Sequence, residues 1–416
     1  MNWSRWGLRV SAAPSFRPRN GPVAPSVQLR SALVVDEPRP LAGLKVVDLS
    51  RVLAGPLCTQ ILGDLGADVV KIERPGTGDD TRQWGPPFAG DDAAYFLSLN
   101  RNKRSVALDL RSSEGAAAIR RLAASADVLI ENFRPHLLDD FGIGLDELRG
   151  SNRSLITCSL TAFGEDVPET AARPGYDIIV QALSGLMSIT GAREGEPTKV
   201  GVALLDVIAG LYATIGILAA VRERATTGVG RHVSVALFDT SVAALVNQAA
   251  NYLIGGVVPR PMGSEHPNIV PYQLFHAADR PFILAAGNDR LFRRACEVFG
   301  RPELADDDRF ATNEARVTNR NVLVPAIGEV IASRPAASWL AALETSGVPC
   351  APLRTLDEVF ASPEGAALVR EVEDEQRGTL RLVASPIRFD DRPAGTPRRP
   401  PGLGEHSDEV LGELEE

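Results

Sequence analysis

A strand, a helix and a second strand follow one another within about 30 residues in the first part of the chain. Residues 44–49 form an apolar run typical of a buried strand, residues 56–66 predict a helix, and residues 67–73 predict another strand. Two strands joined by a helix run parallel in one sheet, because a parallel pair needs a crossover connection. This unit restricts the fold more than any other feature of the sequence, and it predicts the α/β class.

The alternation of strands and helices continues to about residue 160, which predicts a doubly wound parallel sheet. We therefore expect a large Rossmann-like domain over residues 38–250. Residues 251–350 have a different pattern, a hairpin followed by three helices, and predict a smaller α+β domain. Residues 351–416 are expected to return to the large domain, so that both chain ends build it.

Residues 1–36 differ in composition from the rest, and the first 35 of them contain no acidic residue. They contain five arginines and five serines, and the first acidic residue is Asp36. A segment rich in Arg and Ser but free of acids is typical of a mitochondrial transit peptide, which predicts location in the mitochondrial matrix. The alternative is a disordered arm or a mis-assigned start in a protein of the bacterial cytoplasm.

The overall composition excludes several classes of function. Lys plus Arg number 44 and Asp plus Glu number 53, a net charge of −9, which argues against a nucleic-acid binder. The four cysteines have no CxxC spacing and the five histidines form no HxxxH or HExxH pattern, so no metal site is expected. No uninterrupted apolar stretch reaches about 18 residues, so no membrane span is expected.

The first strand–helix–strand unit also raises the possibility of a dinucleotide enzyme. Glu73 ends the second strand, where a dehydrogenase keeps the acid that binds the ribose. However, the loop over residues 50–56 reads SRVLAGP and lacks the GxGxxG fingerprint. The sequence therefore argues against NAD as a cofactor.

Two basic segments are candidates for binding phosphates. Arg74 stands beside a glycine turn just beyond a strand, and residues 100–104 (NRNKR) hold three cations ahead of another strand. Arginine gives bidentate bonds to phosphate and lysine a point charge. The alternative is a solvated loop whose charges bind nothing.

Asp206 stands between an apolar run and a predicted long helix over residues 207–224. At that junction its carboxylate would face free helix N–H groups, which would keep it ionised and nucleophilic. From spacing alone, the simpler interpretation is a helix N-cap. Gly210, one turn later, would let a bulky group approach the helix.

Several segments taken together resemble one known family, the class III coenzyme A transferases. The matching segments run in order along the chain: Pro40–Leu49, Ala54–Pro56, Leu65–Glu73, Asn102–Ser105, Glu131–Phe133 and Leu403–Ser407. The resemblance implies a Rossmann-like large domain, a smaller domain, and two subunits interlocked as a homodimer. It also implies that an acyl-CoA and a free carboxylic acid are the substrates, without a permanently bound cofactor or metal.

Within that family the chain is similar to the branch that transfers CoA from succinyl-CoA to glutarate. The segments behind this are Arg51–Pro56, Gly78–Phe88, Asn100–Lys103, Ser184–Gly191, Ala250–Gly255 and Ile269–Gln273. Enzymes acting on other dicarboxylates share many of these residues, so another acceptor acid is the alternative.

The resemblance also implies roles for individual residues. The catalytic aspartate of the family matches Asp206, which would carry CoA as an aspartyl thioester. Some members have an arginine eight residues beyond Asn132; here Asp140 stands there, and Arg134 was expected to compensate. The implied CoA contacts are Leu53, Ala54, Arg74, Asn100, Arg101, Asn102, Lys103, Asn132, Phe133 and Arg134.

Other residues are expected near the reacting groups. Arg51, Arg82 or His266 is expected to bind the far carboxylate of a diacid, and Asp177 to flank the nucleophile. An α-methylacyl-CoA racemase of the same fold is the rival, but its Gly-His-Asp run reads Gly175-Tyr176-Asp177 here. Because tyrosine has an ordinary pKa of about 10, Tyr176 is a poor general base at neutral pH. A third possibility is a scaffold protein without activity, against which the presence of Asp206 argues.

Overall fold

A six-stranded parallel sheet forms the centre of the large α/β region. The computed structural model describes residues 39–171, 173–395 and 397–414. The strand order is β3-β2-β1-β4-β5-β6, so the chain reverses direction across the sheet between β1 and β4. This confirms the predicted doubly wound α/β fold. The strands are β1 (Lys45–Asp48), β2 (Asp68–Glu73), β3 (Lys103–Ala107), β4 (Val128–Glu131), β5 (Ile156–Thr161) and β6 (His232–Ala236).

Alternate strand residues belong to hydrophobic cores on opposite faces of the sheet. Val46 and Val69 belong to one core, whereas Val47 and Val70 belong to the other. A strand buried on both faces needs a continuous apolar run, which explains the sequence pattern. The helices up to residue 255 are α1 (Ala54–Asp64), α2 (Ala94–Leu99), α3 (Ser113–Ser125), α4 (Leu137–Asp140), α5 (Leu145–Ser151), α6 (Pro168–Ala171), α7 (Asp177–Leu183), α8 (Leu204–Thr227), α9 (Leu237–Ala244) and α10 (Val246–Gly255).

Helix α8 is apolar along its whole length. Among the described helices it alone is long and apolar enough to cross a membrane by length and composition, which differs from the expectation that no segment is. One side of α8, including Ala209 and Ala213, belongs to the core that covers the sheet. The other side leaves Leu211 and Ile215 exposed.

The middle of the chain has a core of its own. A three-stranded antiparallel sheet, in the order β9-β8-β7, packs with five helices around Phe282, Phe292 and Trp339. The elements are β7 (Tyr272–His276), β8 (Pro281–Ala285), β9 (Cys350–Pro352), α11 (Asp289–Val298), α12 (Glu303–Asp306), α13 (Asn313–Thr318), α14 (Arg320–Ile331) and α15 (Ala336–Thr345).

The last part of the chain packs against the large sheet and α2. Leu380 and Leu382 share a hydrophobic cluster with Phe96 of α2. His406 Nδ1 accepts a hydrogen bond of 3.2 Å from the Ser105 N–H in β3, and β3 is an edge strand. The elements are α16 (Leu356–Ala361), α17 (Pro363–Ala366), β10 (Val369–Asp374), β11 (Gly378–Val383) and α18 (Ser407–Gly412).

The described residues 39–414 belong to one compact unit. The transit-peptide prediction for residues 1–36 lies outside the described part of the chain. Short elements complete the fold: 3₁₀ turns at Asp80–Gln83 and Met187–Ile189, and two-residue strand pairs at Phe88–Ala89 with Asp92–Ala93 and Arg388–Phe389 with Arg392–Pro393.

Candidate active site

A cleft opens at the carboxyl ends of β1, β2, β3 and β4, and the space within it, counted together with the open solvent at its mouth, is about 790 Å³. In a doubly wound sheet, ligands bind where the strand order reverses, and here the reversal lies between β1 and β4. The position of the cavity therefore follows from the topology. Its apolar lining comes from Leu49, Ile72, Leu108, Leu110, Phe133, Leu137 and Phe141.

Three arginines also line this cavity: Arg51, Arg74 and Arg111. Arg74 and Arg111 are exposed, and within the described chain their guanidinium groups form no ion pair. Apolar walls suit an aromatic base, and unpaired arginines suit phosphate oxygens. Arg74 was expected from the sequence. Arg111 was not, although its position four residues beyond β3 gave a signal, since neighbouring strands end at the same edge.

Asn132 joins the ends of β1 and β4. Its Oδ1 accepts a hydrogen bond of 2.8 Å from the Arg51 N–H, and its Nδ2 donates to the Arg51 carbonyl at 2.7 Å. Both ends of the amide are thus used inside the protein. Asn132 shapes the rim of the cavity, while Phe133 lines it with its ring 5.4 Å from the Arg51 guanidinium carbon.

The basic segment over residues 100–104 differs from the expectation. Arg101 is buried and pairs with Asp64 at 2.5 Å, and Asn102 donates to the same carboxylate at 2.7 Å. Lys103 lies in β3 and pairs with Asp48 at 3.1 Å, both side chains being fully buried. These cations are neutralised within the protein and offer no free charge to a ligand.

Asn100 and Lys103 hold each other in place below the surface. The Lys103 ammonium donates to Asn100 Oδ1 at 2.8 Å, and Asn100 Nδ2 donates to the Phe96 carbonyl at 2.9 Å. Burial lowers the pKa of Lys103 to about 8. This segment is therefore neither a phosphate site nor a solvated loop, because Arg101 and Lys103 form buried ion pairs within the protein.

Arg134 lies outside the arginine-lined cavity. Its guanidinium pairs with Asp140 at 3.0 Å, and both side chains are exposed. Asp140, which departs from the family pattern, therefore pairs with Arg134, the residue that was expected to compensate for it. Arg74 and Arg111 are the cations that the cavity offers instead.

Glu73 and Arg82 form a buried, bidentate ion pair. Arg82 Nη2 lies 2.7 Å from Glu73 Oε1 and its Nε lies 2.8 Å from Oε2, while Nη1 bonds Asp92 at 2.7 Å. Ser105 Oγ also donates to Glu73 at 2.6 Å. Glu73 is thus not available to a ribose, and Arg82 is not available to a substrate carboxylate.

Asp206 is the third residue of α8, not its N-cap. The cap position is Ala203, and the buried Asp177 accepts the Leu205 N–H at 2.8 Å from the neighbouring α7. The N-cap interpretation of Asp206 was therefore wrong. Within the described residues the Asp206 carboxylate has no hydrogen-bond partner.

The electrostatics of Asp206 also correct the expectation that it is held ionised. Burial, and then the negative charge of Asp177, raise the pKa of Asp206 from 3.8 to about 7. Both effects disfavour the charged carboxylate. A partly buried acid with a pKa near neutrality and no structural partner is a candidate catalytic group.

Tyr95 of α2 lies close enough to the same acids to be affected by their charge, and no pattern in the sequence had singled it out. Burial and the charges of Asp206, Asp177 and Asp79 raise the pKa of Tyr95 to about 12, so the phenol stays protonated. The Trp84 ring lies edge-on at 5.4 Å and is 42% exposed. A protonated hydroxyl and a partly exposed indole thus lie together within electrostatic range of Asp206.

Gly210 allows α8 to approach α1 closely. A Cβ added at Gly210 would lie 2.6 Å from the Ala54 carbonyl oxygen, which is shorter than a permitted contact. The group that approaches the helix is thus the α1 backbone. This contact packs α8, one turn beyond Asp206, against the first residue of α1, which directly follows the loop that borders the cavity.

Two further candidates lie in other surroundings. Tyr176 precedes α7 and is 62% exposed. His266 Nδ1 accepts the Asn268 N–H at 3.0 Å, and desolvation and Arg320 lower the pKa of His266. Across the described ranges no hydrogen bond joins His266 to Asp206, and no three His, Cys, Asp or Glu side chains come together to hold a metal.

The match of the amino-acid sequence to a known family agrees with this candidate active site. The family described as CoA-transferase family III matches residues 41–407. The chain belongs to CoA-transferase family III. It is accordingly a CoA-transferase, similar to the succinate/glutarate enzymes, and CoA is the family's substrate.

Relatives of this CoA-transferase span nearly its whole length. A succinate–glutarate CoA-transferase of Agrobacterium fabrum is 44% identical over 384 residues, covering 90% of this chain and 96% of the relative. A human succinyl-CoA:glutarate CoA-transferase is 41% identical over 378 residues, covering 90% of this chain and 86% of the relative. A crystal structure of a CaiB/BaiF family protein from Brucella suis is 45% identical with a TM-score of 0.79, covering 91% of this chain and 100% of that one.

Proposed function

We propose that this enzyme transfers CoA from succinyl-CoA to glutarate or a related dicarboxylate, with Asp206 as the nucleophile. The observation that carries this is the partly buried Asp206 carboxylate, which has a raised pKa and no hydrogen-bond partner among the described residues. The cavity at the strand ends, with apolar walls and arginines, suits the nucleotide part of CoA. The substrate names of the two glutarate-acting relatives support the choice of acids.

The reaction proceeds through four acyl transfers that need no electron donor or acceptor. The Asp206 carboxylate attacks the thioester carbonyl of succinyl-CoA, which gives a mixed anhydride and the CoA thiolate. The thiolate attacks the aspartyl carbonyl, which releases succinate and leaves an aspartyl-CoA thioester. Glutarate then displaces the thiolate to form a second anhydride, and the thiolate attacks the glutaryl carbonyl to regenerate Asp206.

The surroundings of Asp206 favour the covalent intermediates. An anhydride or thioester at this carbonyl is neutral, whereas the free carboxylate is charged. The desolvation that raises the pKa of Asp206 to about 7 therefore destabilises the starting carboxylate relative to both intermediates. The neutral Tyr95 hydroxyl is able to donate to an oxygen on which negative charge develops.

The rate of CoA exchange is expected to depend on pH through Asp206. Since only the ionised carboxylate attacks, kcat/KM should rise about tenfold per pH unit below about 7 and level off above it. Initial rates between pH 5 and 9 measure this. A nucleophile with an ordinary pKa of about 4 would instead give a flat profile over that range.

The proposed function is tested by incubating the protein with succinyl-CoA and glutarate, with Asp206→Ala as the control. Glutaryl-CoA formed only by the parent supports it, and so does a mass gain of CoA less one water on the parent protein. CoA transfer to another diacid, but not to glutarate, would mean that the other diacid is the acceptor. Exchange of the α-proton of a branched acyl-CoA without CoA transfer would refute the proposal in favour of a racemase.

The far carboxylate of the diacid needs a cation. Of the three candidates from the sequence, Arg82 is occupied by Glu73 and Asp92. Arg51 lines the cavity with Arg74 and Arg111. We therefore propose His266 for this role, and His266→Ala should raise the KM for glutarate. An unchanged KM for glutarate in His266→Ala would remove it.

We also propose that the protein is a homodimer of two interlocked subunits. The exposed apolar residues of α8 and α10 support this, since Ile215 is 61% exposed, Leu253 77% and Ile254 88%. Light scattering should give the mass of two chains, and Leu253→Glu should shift it toward one. Leu356→Glu, at a 76% exposed position of α16, is the matched control. A parent of single-chain mass would refute the dimer.

The composition of residues 1–36 supports the proposal of a mitochondrial matrix enzyme. Isolated mitochondria should import the full chain into a protease-protected form, whereas a chain that begins at residue 37 should remain outside. Equal behaviour of the two chains would favour the alternative, a protein of the bacterial cytoplasm.

A further inference from the structure

The loop between β1 and α1, residues 49–53, borders the cavity without the glycines that usually shape such a loop. Val52 has a φ of +70°, a left-handed conformation that β-branched residues rarely adopt. Backbone strain of this kind persists only where the surroundings over-determine the conformation, and it concentrates at functional sites.

Three buried charges hold the main chain of this segment, and a fourth holds the first turn of α1. Asp48 accepts the Ser50 N–H at 2.9 Å, and Lys71 donates to the Ser50 carbonyl at 2.8 Å. Asp79 accepts the Val52 N–H at 3.3 Å, and Lys103 donates to the Pro56 carbonyl at 2.9 Å. The strained segment is thus fixed from below by side chains.

The same charges neutralise one another in pairs. Lys71 lies 3.0 Å from Asp79 and Lys103 lies 3.1 Å from Asp48, and all four side chains are 0% exposed. Apolar side chains of similar volume are often as stabilising as a buried ion pair, because they avoid the cost of desolvation. They could not, however, bond the peptide groups of the loop.

The side chain that this loop presents to the cavity is Arg51. Its guanidinium lies over Phe133 and 3.4 Å from Asp80, and its Nε is buried without a hydrogen-bond partner among the described residues. A buried N–H donor without a partner is uncommon in folded proteins. An acceptor oxygen of a bound ligand would satisfy it.

We propose that Lys71 and Asp79 are positioning residues, whose buried pair fixes the β1–α1 loop so that Arg51 meets a phosphate of CoA. The inference rests on the proposed function, because it assumes that CoA occupies the cavity. Removing the charges of Lys71 and Asp79 is therefore expected to weaken CoA binding without slowing the acyl transfers at Asp206.

The test uses the full-length double variant Lys71→Met/Asp79→Asn, in which neither residue of the pair carries a charge. Titration calorimetry with CoA should show binding weakened about tenfold or more, the loss expected when one charge-assisted hydrogen bond is misplaced. The KM for succinyl-CoA should rise by the same factor with kcat within about threefold, since a binding contact remote from the reacting atoms is lost. Asn132→Ala, which frees the Arg51 peptide group without disturbing buried charges, should give the same pattern.

Arg51 supplies the decisive comparison. If the pair acts through Arg51, adding Lys71→Met/Asp79→Asn to Arg51→Ala should weaken CoA binding by no more than about twofold further. The matched control is Arg316→Met, which removes a buried cation from the middle region and should lower stability without altering the KM.

Three results would overturn the inference. The first is that the folded pair variant and Asn132→Ala both bind CoA within twofold of the parent. The second is that the losses of CoA binding in the pair variant and in Arg51→Ala add fully when the two are combined. The third is that the pair variant loses kcat without a change in the KM for succinyl-CoA. A parent protein that does not bind CoA would instead refute the proposed function itself, so the two failures are distinguishable.

Discussion

Asp206→Asn is expected to lower the rate of glutaryl-CoA formation by about a thousandfold or more. The amide has nearly the shape of the carboxylate, but it is far too weak a nucleophile to open the thioester. Steady-state exchange at pH 8 with saturating succinyl-CoA and glutarate measures the loss. CoA binding should stay within about threefold of the parent, which would separate lost chemistry from lost binding.

The same substitution should stabilise the fold at neutral and alkaline pH. The folded-state pKa of Asp206 lies near 7, above its ordinary 3.8. The stability contributed by this group is therefore fully present below about pH 4 and is lost as the pH rises through 7. Asparagine does not titrate, so the variant avoids that loss, which we place at about 2 kcal/mol for this partly exposed group.

Urea unfolding at several pH values checks this prediction. The difference in unfolding free energy between Asp206→Asn and the parent should grow between pH 5 and 7 and be constant above 8. Asp146→Asn replaces an exposed acid in the first turn of α5 and should change neither activity nor stability. An Asp206→Asn variant less stable than the parent at pH 8 would contradict the assigned environment.

Arg82→Met is expected to destabilise the fold by about 3–5 kcal/mol, the cost of leaving a buried charge without its partner. The Glu73 carboxylate would lose both bonds of a bidentate pair, and the Arg82 guanidinium carbon also lies 3.6 Å from the centroid of the Phe96 ring. Chemical unfolding at pH 7.5 measures the change.

Matched variants separate charge from size. Glu73→Gln in the Arg82→Met background should restore part of the stability, because no buried charge remains unpaired. Arg231→Met breaks an exposed pair with Glu223 and should leave the stability nearly unchanged, because solvent screens exposed charges. Equal effects of Arg82→Met and Arg231→Met would refute the structural role of the buried pair.

The fold was predictable from local patterns. The strand predicted over residues 67–73 is observed as Asp68–Glu73, and the hairpin in the middle of the chain appears as Tyr272–His276 paired with Pro281–Ala285. Hydrophobic periodicity and turn residues determine such elements, because each depends on neighbours close in sequence. The start of α1 was misplaced by two residues, at Pro56 instead of Ala54.

The role of a site residue could be predicted from the sequence only where its charge and burial do not depend on residues distant in the chain. Lys103 and Arg101 looked like free cations, but Asp48 and Asp64, about 40 or more residues away in the chain, neutralise them. Asp206 was expected to be ionised, but α7 supplies the helix cap and adds a second acid beside it. Pairing between distant segments sets charge and burial, and one sequence does not reveal that pairing.

The attachment of the last residues to β3 has a consequence for when the enzyme matures. Gly404 and His406 bond Ser105, and Glu409 pairs with Arg104, so the edge of the sheet is completed by residues about 300 positions downstream. Ribosomes make the chain from its amino end, so a nascent chain has an uncovered edge strand until translation is almost finished. Residues 108–111, which follow β3 and line the cavity, therefore lie beside a sheet edge that is covered only at the end of synthesis.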